Sequence, residues 1–264
     1  MLSRFFLATF NKWAMVCIPL FVGVPGPALG HLVVILEAVR DNTLYEEKEG
    51  GTSNGGGDFL FVGTSETGAV RRALLAFDPR GKIPPGALIE RVQIGLYSTD
   101  SPAAAQKISA HRVLSDWGEG DSTPPDEAVG GPAAAGDATW KHAFFDSLLW
   151  QSAGGDFAPA ASAELVVEEE GFHIWEAPGL VADVQAWATN PVNIPGWVLR
   201  GAEGRPGTVQ HFSSRENAVG FPPCLLIQFD PFVAAVEPQG WGHLKKAWKA
   251  HGSRASHHHT LDPE

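Results

Sequence analysis

Apolar and polar residues alternate through the stretch from Val70 to Tyr97, and the rest of the chain is organised around it. Val70, Arg72, Leu74 and Ala76 interleave with Arg71, Ala73, Leu75 and Phe77, so this arm is apolar on both faces beyond its start. Asp78-Pro79 ends it, because proline donates no ladder hydrogen bond and restricts the residue before it. Ile83-Pro84-Pro85-Gly86-Ala87 makes a corner, after which Val92, Ile94 and Leu96 alternate with Arg91, Gln93 and Gly95. Period two marks a half-buried strand, so the two arms, folded about the corner, predict antiparallel sheet packed on one side. Further strands are expected over His31–Val39, Phe59–Val62, Lys107–Leu114, Trp197–Arg200, Thr208–Phe212 and Cys224–Phe229. Glu164–Val167 and Phe172–Trp175 read as a hairpin joined through the acidic turn Glu168-Glu169-Glu170-Gly171. One helix is expected, at about 178–189: Pro178 suits its first turn, Leu180, Val181, Val184 and Trp187 share a face, and Asn190-Pro191 stops it. From Asp116 to Phe157 the pattern breaks into a long loop, a kind that is usually functional or disordered.

Composition sharpens this into an all-β antiparallel sandwich. With 30 glycines and 20 prolines in 264 residues, many turns and short strands fit better than a helical bundle. The net charge is −11, unevenly spread: residues 31–239 carry 13 basic against 28 acidic side chains, a net of −15. Such a body argues against nucleic acid and anionic membranes, which need basic patches, and is compatible with calcium or neutral glycans. Residues 1–30 read as a secretory signal peptide, with Arg4 and Lys12, an apolar run from Trp13 to Val24, and the small Ala28 and Gly30 before the cleavage point. The apolar run is shorter than the roughly 20 residues of a comfortable span, so cleavage rather than a retained anchor is expected. Cys224 is then the one cysteine of the mature chain, read as a buried small hydrophobe, and no intrachain disulfide can form. Residues 233–264 form a basic, histidine-rich tail, where Trp241, Leu244 and Trp248 among Lys245, Lys246 and Lys249 could meet a protein partner or surface, although a flexible end is the simpler reading.

Several segments together resemble the DNRLRE-domain proteins, secreted β-sandwich modules of bacteria and archaea. Asp41-Asn42-Thr43-Leu44-Tyr45-Glu46 matches the name-giving motif at four of six positions. The similarity continues in order through Phe59–Gly63, Arg72–Asp78, Ile83–Ala87, Asp116–Gly120, Gly136–Trp140, Leu180–Trp187 and Phe212–Asn217, covering nearly all of residues 31–232. It implies a jelly-roll-like antiparallel sandwich in an extracytoplasmic setting. Some members are classed as carbohydrate-binding; no reaction is implied.

Candidate chemistry follows from residue type and placement. A sugar-binding surface needs flat aromatic faces with acids or amides beside them, and Trp117, Trp140 and Trp150 lie in the long loop near Asp116 and Asp137. The plain alternative is that these tryptophans pin the loop onto the sandwich. Calcium wants six to eight oxygens on bent loops; Asp41 with Asn42 and Asp58, and Asp116 with Glu119 and Asp121, qualify by composition, in a structural role. Cleavage after Gly30 would expose His31 as half of a copper-binding brace, its second histidine drawn from His111, His142, His173 or His211. There is no Gly-x-Ser-x-Gly elbow, no His-Glu-x-x-His and no phosphate-cradling glycine loop. The expectation is therefore a secreted, non-catalytic sandwich that binds polysaccharide or cell-surface glycan. Its alternatives are a structural cell-surface or matrix protein that contacts other proteins and, more remotely, a copper polysaccharide oxygenase using His31.

Overall fold

A computed structural model describes residues 30–99, 103–218 and 220–231. The signal peptide expected over 1–30, apart from Gly30, and the tail expected over 233–264 lie outside the described residues. In chain order the strands are β1 (Leu32–Glu37), β2 (Arg40–Tyr45), β3 (Thr52–Ser53), β4 (Phe59–Thr64), β5 (Val70–Ala76), β6 (Leu88–Ser98), β7 (Gln106–Arg112), β8 (Gly131–Pro132), β9 (His142–Phe144), β10 (Leu148–Leu149), β11 (Ala163–Val167) and β12 (Gly171–Glu176). Helix α1 (Pro178–Thr189) follows, then β13 (Trp197–Arg200), β14 (Gln210–Ser213) and β15 (Cys224–Asp230).

Two antiparallel layers result. In the first, β15 lies between β1 and β6, β12 pairs the other edge of β6, and β14 bridges β6 to β4. In the second, β5 lies between β2 and β13, and β13 leads on to β7 and β11. Strand β4 belongs to both: Phe59–Val62 pair with β14, whereas Gly63 and Thr64 pair with Arg71 and Val70 of β5. The bend falls on Gly63, whose φ is +134° and whose absent Cβ would lie 2.3 Å from the Thr208 carbonyl oxygen.

Two connections differ from the expectation. The arms on either side of the Pro84 corner do not pair with each other; β5 sits in the second layer and β6 in the first, so the corner carries the chain across the sandwich. The expected 164–175 hairpin is likewise a crossover, because β11 pairs β7 while β12 pairs β6. A short acidic turn is compatible with either geometry, and alternation does not identify a strand's partner.

Between the layers, Leu60, Val62, Val92, Ile94, Leu96, Leu225, Ile227 and Phe229 meet Ala73, Leu75, Ile108, Ala110, Trp197 and Leu199. Helix α1 closes this core with Leu180, Val184 and Trp187, the last packed edge-on against Trp197 at 4.6 Å. Polar groups fix the helix in place: Gln185 accepts from the Ile89 N–H at 2.9 Å, and Asp183 accepts from the Trp197 indole at 2.9 Å. A second apolar cluster lies on the opposite side of the second layer, where Leu44, Leu74, Ala76 and Val198 pack against Trp117, Trp140 and Trp150. Both faces of β5 are therefore covered, which is why its sequence is apolar in both phases.

Candidate functional site

The long loop covers the second layer. Trp117 is fully buried and donates its indole N–H to the Pro195 carbonyl at 2.8 Å. Trp150 is buried and donates to the Thr139 carbonyl at 2.9 Å, while Trp140 lies beneath the Arg72 guanidinium, 4.7 Å from its ring centre. These rings present no face to solvent, so the expected stacking platform at Trp117, Trp140 and Trp150 is corrected: they pin the loop. Asp137 is also fully buried; one carboxylate oxygen accepts from the Ala134 N–H at 2.8 Å and from the Ser122 hydroxyl. Asp116 is exposed but bound to Arg40 at 2.9 Å, and Arg40 lies over Trp117. Neither carboxylate belongs to a sugar-binding group with the tryptophans.

The expected calcium residues are redistributed. Asp41 and Glu119, drawn from different predicted clusters, come together with Glu216 so that one oxygen of each lies within 4.8 Å of the others. Arg215 occupies the same space: it grips Glu119 through two nitrogens at 2.7 and 3.0 Å, touches Glu216 at 2.8 Å, and donates its backbone N–H to Asp41 at 2.8 Å. Burial pushes the Asp41 carboxyl well above its ordinary range, with Glu216 adding to the rise; burial also raises Glu216. Asn42 is spent on the fold, donating to Ser53 at 2.9 Å and to the Glu119 carbonyl at 2.6 Å and accepting from the Thr43 N–H at 2.7 Å. Asp58 and Asp121 are exposed and outside the cluster. The Arg215 side chain thus already supplies positive charge to two of the three carboxylates, Glu119 and Glu216. The donor set fits calcium poorly, and we describe it as an arginine-bridged clasp.

His31 bonds Glu90 at 2.7 Å rather than a second histidine. The other candidates lie on separate elements, His111 on β7, His142 on β9, His173 on β12 and His211 on β14. Cys224 is half-buried on the outer face of the first layer, opposite Gly95, rather than in the core.

That same outer face holds the most suggestive cavity. Register sets its floor: Ser213 pairs with Phe59 on β4, and Phe212 opposite Ser98 brings Ser213 beside Tyr97 on β6 and His211 beside Thr99. Since Leu60, Leu96 and Phe212 point into the core, their neighbours Phe59, Tyr97 and Ser213 point out. Together with Thr99, His211, Asn217 and Gly220 they line a cleft of about 410 Å³. Phe59 and Tyr97 stand two strands apart, roughly 10 Å at the ordinary strand spacing. The Tyr97 hydroxyl donates to Glu170 at 3.0 Å, and its ring is backed by Phe172 at 5.0 Å and Phe221 at 5.1 Å, which fixes it as a wall. Asn217 donates to the Asp58 carbonyl at 3.1 Å and accepts from the Gly220 N–H at 2.6 Å, holding the turn that forms the rim. At the floor the Ser213 hydroxyl oxygen is buried with no hydrogen-bond partner among the described residues. Gly220 lies against it; a Cβ there would be 2.4 Å from that oxygen.

A larger cleft, about 640 Å³, lies between β6 and the start of α1, lined by Glu90, Arg91, Glu176 and Pro178 among others. Its charges satisfy one another, Arg91 gripping Glu176 at 2.8 and 2.7 Å. Sequence reasoning passed over Phe59, Tyr97 and Ser213 as site residues. The available signal was phase: Tyr97 continues the outward series Arg91, Gln93, Gly95, so an aromatic side chain was already assigned to the solvent side.

No protein-family model matches the chain, and no curated protein matches it. Among the described residues, no helix is long and apolar enough to cross a membrane.

Proposed function

We propose that this is a secreted, non-catalytic carbohydrate-binding sandwich that seats a polysaccharide chain in the cleft between Phe59 and Tyr97. One observation carries the reading: two outward aromatic rings flank a floor of uncharged polar groups that includes a buried hydroxyl without a partner. Rings meet the apolar faces of sugars, and hydroxyl and amide groups meet their edges. A trough roughly 10 Å across at the backbone, narrowed by its own rings, is too tight for an α-helix, whose diameter with side chains is about 10–12 Å. The resemblance to DNRLRE-domain proteins and the leader-like residues 1–30 support the extracytoplasmic setting. The test is native affinity electrophoresis in gels cast with a panel of soluble polysaccharides. Retardation by at least one gel, reduced in Phe59→Ala and Tyr97→Ala, is expected; no retardation in any gel rejects the reading.

A protein-contacting role has one observation in its favour. Strand β1 is an edge of the first layer, and its Leu32, Val33 and Ile35 are each about half exposed. Exposed apolar edges invite added strands. Under this reading sedimentation shows self-association that Ile35→Lys abolishes; a monomer at every concentration removes it.

A further inference from the structure

We infer that the cleft selects uncharged glycan chains and rejects those bearing carboxylate or sulfate groups. This rests on the carbohydrate-binding reading and names the ligand class. Among the described residues the lining holds no lysine, arginine, aspartate or glutamate: Phe59, Tyr97, Thr99, His211, Ser213, Asn217 and Gly220 face the space. Charged groups on the elements that carry the lining are acidic or already paired. Glu170 accepts from the Tyr97 hydroxyl on one wall. Asp58 is exposed, directly before Phe59. Glu216 belongs to the turn that forms the rim, and Arg215 beside it is committed to Glu119 and Glu216.

An anionic chain entering the cleft would lose hydration without meeting a cation, inside a body whose residues 31–239 carry a net charge of −15. A neutral chain incurs neither cost. Its hydroxyls both donate and accept, which matches a lining of hydroxyl, amide and imidazole groups rather than fixed ions. Recognition of carboxylates and sulfates characteristically uses bidentate guanidinium forks, and no described residue lining the cleft supplies one.

The test compares binding to hydroxyethylcellulose, galactomannan and laminarin with binding to polygalacturonate, alginate and heparin, in affinity gels at low salt. At least one uncharged polymer should retard the protein, and none of the three polyanions should. The retardation should fall about tenfold in Phe59→Ala. Thr99→Lys, which places a cation at the cleft, should admit polygalacturonate while its melting temperature stays near that of the unaltered protein. Retardation by a polyanion that Phe59→Ala removes would overturn the selectivity and leave carbohydrate binding standing. Binding of an uncharged polymer that survives both Phe59→Ala and Tyr97→Ala would put the seat elsewhere and overturn the inference. Failure with all six polymers would overturn the functional reading itself.

Discussion

Glu203 shows how much one carboxylate can decide. Burial alone would raise its pKa, but hydrogen bonds from Arg200 and Arg72 outweigh it and bring it down to about 2. The buried Arg72 also donates to the Gly154 carbonyl at 2.6 Å and covers Trp140, so the pair ties the loop cover to the second layer. A depressed carboxylate contributes stability that is present above its unfolded pKa, near 4.5, and lost as pH falls towards about 2. That drop corresponds to about 3 kcal/mol, and Glu203→Gln should lose a similar amount at neutral pH in urea titrations. Asp41 has the opposite sign. Its pKa is raised, so stability declines as pH rises from the ordinary carboxylate range through the raised value. Asp41→Asn keeps an acceptor for the Arg215 N–H and should be more stable than the unaltered protein at neutral pH, with the advantage gone in acid. Ser213→Ala removes a buried hydroxyl without a partner and should stabilise the protein by about 1 kcal/mol. If that serine is a ligand contact, the same variant binds less well.

At the scale of elements, β5 repays attention: its sequence is apolar in both phases, yet packing on one side was expected and the structure covers both. Leu74 and Ala76 face one way and Ala73 and Leu75 the other, and all four are fully buried. A sandwich covers only one side of a strand, so the other side needed something from the remaining sequence, and the tryptophan-rich loop was the available candidate. Trp117→Ala should therefore cost about 3–5 kcal/mol in unfolding free energy, the usual loss for a deleted core aromatic. Affinity for any glycan, measured below the melting transition, should be unchanged. Most long strands and α1 were legible because period two and period 3.6 are local properties, whereas β2 and the short β3, β8, β9 and β10 were not expected. Partners were not: alternation in β6 or β12 says which side is inward and nothing about which strand lies alongside. The cleft was hidden for the same reason, since Phe59, Tyr97 and Ser213 are far apart in sequence and become neighbours only through the β4–β14–β6 register.

For the whole molecule, the expected class of fold stands: two antiparallel layers about an apolar centre with, among the described residues, one short helix. The acidic charge was legible too, but not its arrangement, because pairing of Glu119, Glu203 and Glu176 with arginines depends on side chains meeting in space. Since Arg215 provides the positive charge within the carboxylate clasp, the melting temperature should not change on adding EDTA or millimolar calcium. A calcium-dependent rise would mean the ion displaces the guanidinium.

The partnership of β1 with β15 has a practical corollary. Leu32 lies opposite Phe229, and Asp230 lies opposite Leu88, the end of β6 remote from Tyr97. Leu88 and Tyr97 are nine steps apart along extended strand, roughly 30 Å at about 3.4 Å per residue. Leu32 and Asp230 thus lie at the same end of the first layer and well away from the Phe59–Tyr97 cleft. A dye attached at His31 or Asp230 should therefore leave the cleft unobstructed.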